Sequence, residues 1–324
     1  MKPNILIIAT GGTIAMTQDG QSGIVPALSA QDLMASVPGL ADVAAVEPMS
    51  LFRKPGASLT LQDLVRIVET LEDDASSVFD GVVIVQGTDT IEETAFALDC
   101  LLDTRRPVVV TGAMRGPQQA GADGPANLLA SVIVAGSGEI LPGVVVVLND
   151  EVHAARHVRK GHTGLTSSFI STPFGPIGHV SEGQFFKLFT ATPMPLVGRP
   201  TGKIPEVAHI AVTMGDDGRV MDALGGLGYE GAVLCAMGAG HVPHGMVSRI
   251  ETLAKTMPVI LSTRVGGGTV FTSTYGFEGS EMDLLARGVI AGGAIGPLKA
   301  RILLQLLLAC EAKKPEIASI FGSL

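Results

Sequence analysis

The chain has 324 residues, of which 46% are hydrophobic and 16% are charged. This composition excludes an intrinsically disordered protein and supplies enough apolar surface for a large core, which is more typical of two domains than of one. The formal net charge of −9 disfavours nonspecific binding to nucleic acid or anionic membranes, because both need a basic surface. The first apolar run, residues 5–9, is too short for a signal peptide, and no stretch has the length and low charge of a membrane span. We therefore expect a cytoplasmic protein.

The three cysteines, Cys100, Cys235 and Cys310, each lie in an apolar stretch, and none forms a CxxC pair. We expect them to be buried, reduced thiols, which is usual for free cysteines. Their odd number also argues against a disulfide framework.

Continuous apolar runs of strand length recur in the first half of the chain, and each leads into a turn rich in Gly, Thr or Asn. They cover residues 5–9, 82–85, 108–110 and 144–148. Runs that are apolar throughout, rather than alternating, indicate a parallel sheet covered on both faces.

Helical patterns fall between these runs. Residues 61–71 carry apolar side chains at helical spacing, and residues 127–135 are similar. The segment Thr90-Ile91-Glu92-Glu93 has the form of a capping box and predicts a helix from there to about residue 102. Strand and helix alternate, so the fold class is α/β with doubly wound character.

A stretch rich in Pro and Gly, residues 190–205, separates two such regions. After it we predict strands at residues 209–213, 232–236 and 259–262 and a helix over residues 297–312. We therefore predict a larger N-terminal catalytic domain (1–190), a linker (191–206) and a smaller C-terminal α/β domain (207–324).

Two predicted strands end in glycine loops that carry hydroxyl or acidic groups, namely Gly11-Gly12-Thr13 and Gly87-Thr88-Asp89. Ligands of open α/β sheets bind at the carboxyl ends of strands, and glycines let backbone N–H groups approach a ligand closely. A threonine nucleophile needs a base or a proton path, for which Lys160 is a candidate. From spacing alone, an ordinary structural role of each loop is the more frequent outcome. Neither loop is a P-loop or a GxGxxG motif.

The histidines raise the question of a metal. His153 and His157 are four residues apart, but the segment has no HExxH motif and is flanked by arginines, which suit a cation poorly. We interpret them as hydrogen-bonded or solvated loop residues and predict neither a metal nor an organic cofactor.

Taken together, several segments resemble the bacterial-type asparaginase/glutaminase family. Ala9-Thr10-Gly11-Gly12-Thr13-Ile14-Ala15 is similar to the first family signature. The segment Gln86-Gly87-Thr88-Asp89-Thr90-Ile91-Glu92-Glu93-Thr94 is similar to the second family signature. Further matching segments run to the C-terminal end: Thr111-Gly112-Ala113-Met114-Arg115, Asp123-Gly124-Pro125-Ala126-Asn127-Leu128, Leu148-Asn149-Asp150, Lys160 and Lys299-Ala300-Arg301. Because the matches follow in order along nearly the whole chain, a chance resemblance is very improbable.

The resemblance implies a hydrolase that cleaves the side-chain amide of asparagine, with or without glutamine. Thr13 would attack the amide carbon, and Thr88, Asp89 and Lys160 would form a second hydroxyl-centred set. Asp89 would bind the substrate α-ammonium through a charge-assisted hydrogen bond.

The resemblance also implies how the substrate is held. N–H groups between Gly87 and Asp89 would stabilise the oxyanion. Gln86, Gly87 and Ala113 would line the substrate site, and Ser58 is the candidate for the substrate carboxylate, although the segment around Ser58 departs from the family pattern.

One departure concerns the loop after the first signature, where the family usually carries a tyrosine bonded to the nucleophile. Residues 17–25 contain no tyrosine, and the chain has only Tyr229 and Tyr275. The missing tyrosine leaves two alternatives, an amidase with another substrate and a non-catalytic binding protein on the same fold. A third alternative, which rests on sequence similarity, is a tRNA-amidotransferase subunit. The lack of a basic surface signal disfavours the last. Retention of both hydroxyls and the lysine favours catalysis, because binding alone does not require them.

The resemblance finally implies a homotetramer built from two intimate dimers, in which the partner's C-terminal domain completes each site. His241 and Glu281 are the candidate partner residues, because both fall in loop-like stretches. The alternative is that both are ordinary solvated groups.

Overall fold

In a computed structural model, which describes residues 2–11, 16–18, 24–26, 30–141 and 143–324, the apolar runs of the first half become neighbouring strands of one sheet. The strands of this half are β1 (Asn4–Ala9), β2 (Met16–Gln18), β3 (Ile24–Pro26), β4 (Ala45–Ser50), β5 (Gly81–Val85), β6 (Val108–Thr111), β7 (Val144–Leu148), β8 (Glu151–Ala154), β9 (Arg159–Lys160), β10 (Phe169–Ile170), β11 (Gly178–Ser181) and β12 (Gln184–Lys187). Within the described ranges, eight of them form a sheet in the order β12-β11-β8-β7-β6-β5-β1-β4. The strands predicted at residues 5–9, 82–85, 108–110 and 144–148 are confirmed.

The central part of this sheet is parallel. Strand β1 pairs in parallel with β4 and β5, and the parallel pairing continues through β6 to β7, whereas β8, β11 and β12 join in antiparallel fashion. The carboxyl ends of β1, β5 and β6 consequently share one edge of the sheet. The glycine loops of the sequence motifs follow these strands.

Helices cover the sheet as the sequence predicts. The helices of this half are α1 (Ala30–Ala35), α2 (Leu40–Val43), α3 (Leu61–Glu72), α4 (Ile91–Leu101) and α5 (Gly124–Ala135). Ile7 and Val83 lie in one buried cluster with Leu128 of α5, and the intervening Leu6 and Ile84 are also fully buried. Both faces of the sheet are therefore covered, which is why its strands are apolar throughout.

The predicted capping box at Thr90 is wrong. Thr90 does precede the first residue of α4, but its side chain makes no capping hydrogen bond. The hydroxyl donates to the backbone oxygen of Gly56 instead, at 2.9 Å. A true capping box occurs at the start of α3, where Thr60 and Asp63 each accept the other's backbone N–H.

The second half forms a smaller parallel sheet of its own. Its strands are β13 (Glu206–Ala211), β14 (Tyr229–Ala236), β15 (Val259–Thr263) and β16 (Ile290–Ala291), and its helices are α6 (Val247–Thr256), α7 (Glu281–Ala286), α8 (Pro297–Ala309) and α9 (Lys314–Gly322). The chain divides into two compact units, Met1–Leu196 and Val197–Leu324. The predicted class, a larger α/β sheet domain followed by a smaller one, is confirmed.

The cysteines differ from the prediction at one position. Cys100 and Cys235 are buried, but Cys310, at the end of α8, is half-buried and donates from Sγ to the Gly198 oxygen at 2.7 Å. Burial raises the pKa of the Cys235 and Cys310 thiols, which disfavours the reactive thiolate in both.

Helices long and apolar enough to cross a membrane are absent from the described ranges.

Candidate active site

Lys160, Thr88 and Asp89 meet at the carboxyl end of β5. The ammonium of Lys160 donates to Thr88 Oγ1 at 2.9 Å and to Asp89 Oδ1 at 2.8 Å. Thr88 is almost fully buried, with 7% exposure, whereas the Asp89 side chain is 67% exposed and that of Lys160 19%. One lysine therefore holds a buried hydroxyl and an accessible carboxylate side by side.

The local backbone explains how this group is assembled. Residues Thr88–Thr90 form a single 3-10 turn between β5 and α4, so Thr88 and Asp89 are presented directly at the end of the strand. Lys160 arrives on the short strand β9, which pairs with β10. The backbone N–H of Lys160 donates to Glu92 Oε2 at 2.7 Å. Glu92 lies in the first turn of α4 and thereby fixes the lysine beside the turn that carries Thr88.

The loop after β6 packs against the same turn. A side chain on Gly112 would place its Cβ 2.5 Å from the backbone oxygen of Gln86, so only glycine fits there. Gln86, Gly87 and Ala113 are all buried. They surround the end of β5, and the structure thus brings these predicted residues to the same place as Thr88.

Two residues at the start of α5, to which the sequence pattern gave no role, support this loop. Asp123 accepts the backbone N–H groups of Met114 at 2.9 Å and Arg115 at 2.8 Å. Asn127 donates to the Gly112 oxygen at 2.9 Å and accepts the Asn149 N–H at 2.9 Å. The signal that could have identified them is the pair of polar residues four positions apart at the start of the otherwise apolar helix α5.

The first glycine loop and the Ser58 segment also meet at this edge. Gly11 has φ +114°, and a Cβ there would lie 2.4 Å from the Lys54 oxygen. The Lys54 N–H donates to the Thr10 oxygen at 2.9 Å. Ser58 ends the short 3-10 helix Gly56–Ser58 and is exposed. The predicted nucleophile Thr13, two residues beyond Gly11, lies outside the described residues.

His241 and Glu281 belong to the second unit and lie together there. Glu281 is the first residue of α7 and is 0% exposed, so its predicted loop position and the solvated alternative are both wrong for this residue. Its carboxylate accepts the N–H groups of Thr274 at 3.0 Å and Tyr275 at 2.7 Å, and His241 Nε2 lies 3.2 Å from Oε2. Burial by itself would raise the pKa of Glu281, but the Tyr275 and Thr274 N–H groups outweigh it, and the pKa is lowered.

His153 and His157 have ordinary structural environments. His153 lies in strand β8 rather than in a loop, is 1% exposed, and its Nδ1 is 3.0 Å from Ser171 Oγ. Burial lowers the pKa of His153 to about 4, so its ring is neutral near pH 7. The ring of His157 stacks on Phe174 with centroids 4.0 Å apart. Within the part of the chain that the structure describes, His, Cys, Asp and Glu side chains form no group of three or more that could hold a metal ion.

Comparisons with known proteins give matches along nearly the whole chain. The family model for the N-terminal domain of asparaginase matches residues 4–191, and that for the glutaminase/asparaginase C-terminal domain matches residues 206–321. An L-asparaginase of Bacillus licheniformis is 33% identical over 95% of this chain and 96% of its own length. L-asparaginase 2 of Escherichia coli strain K12 is 32% identical over 99% of this chain and 93% of its own length.

A solved structure is similar as well. The crystal structure of a probable cytoplasmic L-asparaginase from Campylobacter jejuni superposes with a TM-score of 0.90 at 29% identity, covering 100% of both chains.

Proposed function

The chain belongs to the asparaginase family, and we propose that it hydrolyses the side-chain amide of L-asparagine, and of L-glutamine to an extent set by pocket depth, to the acid and ammonia. The observation that carries this proposal is the contact of Lys160 with both Thr88 and Asp89. A buried hydroxyl beside an accessible carboxylate suits a small amide that carries an ammonium group.

In the proposed reaction, the Thr13 oxygen attacks the amide carbon and forms a tetrahedral oxyanion. N–H groups of the Gly87–Asp89 loop stabilise that oxyanion. The C–N bond then breaks, the nitrogen leaves as ammonia with the proton given up by Thr13, and an ester of Thr13 remains. Water hydrolyses the ester to release the acid and restore the hydroxyl. Thr88 and Lys160 provide the hydrogen-bonded path for proton movement.

Recognition of the substrate rests on its two charged α-groups. Asp89 binds the α-ammonium, because a fixed carboxylate forms charge-assisted hydrogen bonds with it. Ser58 binds the α-carboxylate, and Gln86, Gly87 and Ala113 line the space between. The exposure of Asp89 and Ser58 supports this assignment, since both remain accessible to a ligand.

We further propose that the protein is a cytoplasmic homotetramer whose sites are completed by His241 and Glu281 of the partner subunit. The buried position of Glu281 supports a preorganised role, because three nitrogen atoms, those of the Thr274 and Tyr275 backbone and of the His241 ring, fix the carboxylate. The name of the Campylobacter jejuni protein supports the compartment. We place the linker between the catalytic and C-terminal domains at residues 191–206.

The decisive test is ammonia release by the purified protein from L-asparagine, D-asparagine, L-glutamine and succinamate, the amide that lacks the α-amino group. We expect the highest kcat/KM for L-asparagine and much lower values for the D-isomer and succinamate. Binding of L-asparagine without ammonia release would refute the proposed hydrolysis and establish the non-catalytic alternative.

A further inference from the structure

The Thr90 hydroxyl does not cap the helix that follows it but bonds to another segment of the chain. As the residue before α4, Thr90 could cap the helix, yet the hydroxyl donates to the Gly56 oxygen at 2.9 Å and accepts from Gln86 Nε2 at 3.2 Å. Gln86 Nε2 also donates to the Gly87 oxygen at 3.2 Å. The Gln86 amide nitrogen must face Thr90, because the Thr90 proton is already donated to Gly56. The result is a directed chain from Gln86 through Thr90 to Gly56.

This series of hydrogen bonds joins two turns whose backbones are in contact. A Cβ on Gly56 would lie 2.6 Å from the Gly87 oxygen and 2.9 Å from its carbonyl carbon, so the turn Gly56–Ser58 lies directly on the loop before Thr88. The turn itself is short, closed by the Ser58 N–H donating to the Pro55 oxygen at 2.9 Å. Fixing Gly56 therefore fixes Ser58, which is two residues away in the same 3-10 helix.

We propose that Thr90 is a positioning residue that holds the Gly56–Ser58 turn, and with it the subsite for the substrate α-carboxylate, at a set distance from Thr88 and Asp89. The inference rests on the proposed function and on the contact of Ser58 with that carboxylate. Without the hydroxyl, the Gly56 carbonyl loses a donor in a part-buried place where water replaces it poorly. The turn then loosens, and the carboxylate is held less well in both the ground state and the transition state.

Weaker binding of the substrate carboxylate should change KM and kcat differently. An interaction that is equally strong in both states affects KM and leaves kcat nearly unchanged. We expect Thr90→Val, which keeps the shape of the side chain, to raise KM for L-asparagine by about tenfold, the effect of one neutral hydrogen bond. Thr90→Ser keeps the hydroxyl and should restore KM. Thr70→Val is the matched control, because it removes a hydroxyl that bonds the Arg66 oxygen within α3, away from the site.

The test is a double-mutant cycle of Thr90→Val with Ser58→Ala, read by kcat and KM on L-asparagine and by thermal unfolding. If Thr90 acts through the Ser58 turn, its substitution costs little in the Ser58→Ala background. Additive effects, an unchanged KM in Thr90→Val, or an equal fall in kcat would each overturn the inference. If Thr90→Val does not fold, Thr90→Ala takes its place in the cycle. Failure of the wild-type protein to hydrolyse any amide would instead refute the proposed function.

Discussion

Lys160 donates a 2.9 Å hydrogen bond to the hydroxyl of Thr88, although the two residues are 72 positions apart in the sequence. The bond joins the short strand β9 to the turn after β5. The same ammonium also holds Asp89, so a change at Lys160 affects a hydroxyl and a carboxylate together.

Replacing Lys160 by Met should lower kcat more than it weakens binding. Removal of a residue that takes part in proton transfer reduces turnover by about 10²–10⁴-fold. Steady-state kinetics on L-asparagine measure this effect. The control is Lys187→Met, because Lys187 lies on the edge strand β12, where it forms an ion pair with Glu139. A Lys160 variant changed only in KM would show an electrostatic contact with substrate instead.

Replacing Thr13 by Ala should abolish amide hydrolysis while the protein remains folded. The reason is that no acyl-enzyme forms without the attacking oxygen. Thr13→Ser is the control, because it keeps the hydroxyl and should retain part of the activity. Thermal unfolding monitors the fold. Near-normal turnover by folded Thr13→Ala would exclude Thr13 as the nucleophile.

Replacing Asp89 by Asn should impair recognition of the substrate ammonium. A hydrogen bond to a charged group contributes about 1.5–3 kcal/mol, so kcat/KM should fall by roughly ten- to hundredfold. The kcat/KM for succinamate, which has no α-amino group, should fall much less. The control Asp42→Asn changes an exposed carboxylate on α2. Equal losses with both substrates would mean that Asp89 does not select the ammonium.

His153 should make the fold sensitive to acid. Its pKa is about 4 in the folded protein and about 6.5 when unfolded, so between these values the unfolded chain binds more protons. The contribution of neutral His153 to the free energy of unfolding is therefore fully present above pH 6.5, and it is lost as the pH decreases towards 4. Replacing His153 by Gln should reduce the pH dependence of the free energy of unfolding in this window. Urea unfolding at pH 7 and pH 5 measures the free energy of unfolding at each pH. If the difference between the two values were the same in the variant and the wild-type protein, the assignment would be contradicted.

The shared site can be tested by mixing subunits. If each site uses Thr13 of one chain and Glu281 of the partner subunit, Thr13→Ala and Glu281→Gln are each inactive, but a mixed dimer has one intact site. Unfolding and refolding an equimolar mixture should restore about a quarter of wild-type activity, because half the dimers are mixed and each has one of two sites. A mixture no more active than its parents, or a fully active monomer by light scattering, would refute the arrangement.

The sequence by itself determined the elements and the class of fold. Uninterrupted apolar runs such as residues 82–85 and 144–148 form strands that are buried along their whole length, as expected for a sheet covered on both faces. Local patterns also located Thr88, Asp89 and Lys160, and the resemblance assigned them roles. Each of these inferences depends on residues that are close in the chain, which is the information that a pattern contains.

Only the tertiary structure decided which groups bond to one another. Thr90 precedes a helix with the sequence of a capping box, yet its hydroxyl goes to Gly56, 34 residues away. Glu281 follows a loop-like stretch, yet it is fully buried because the N–H groups of Thr274 and Tyr275 and the ring of His241 surround it. A hydroxyl or carboxylate bonds to whatever partner the fold brings within about 3 Å. The spacing of residues in a local sequence pattern does not predict such a partner when it lies on a distant segment.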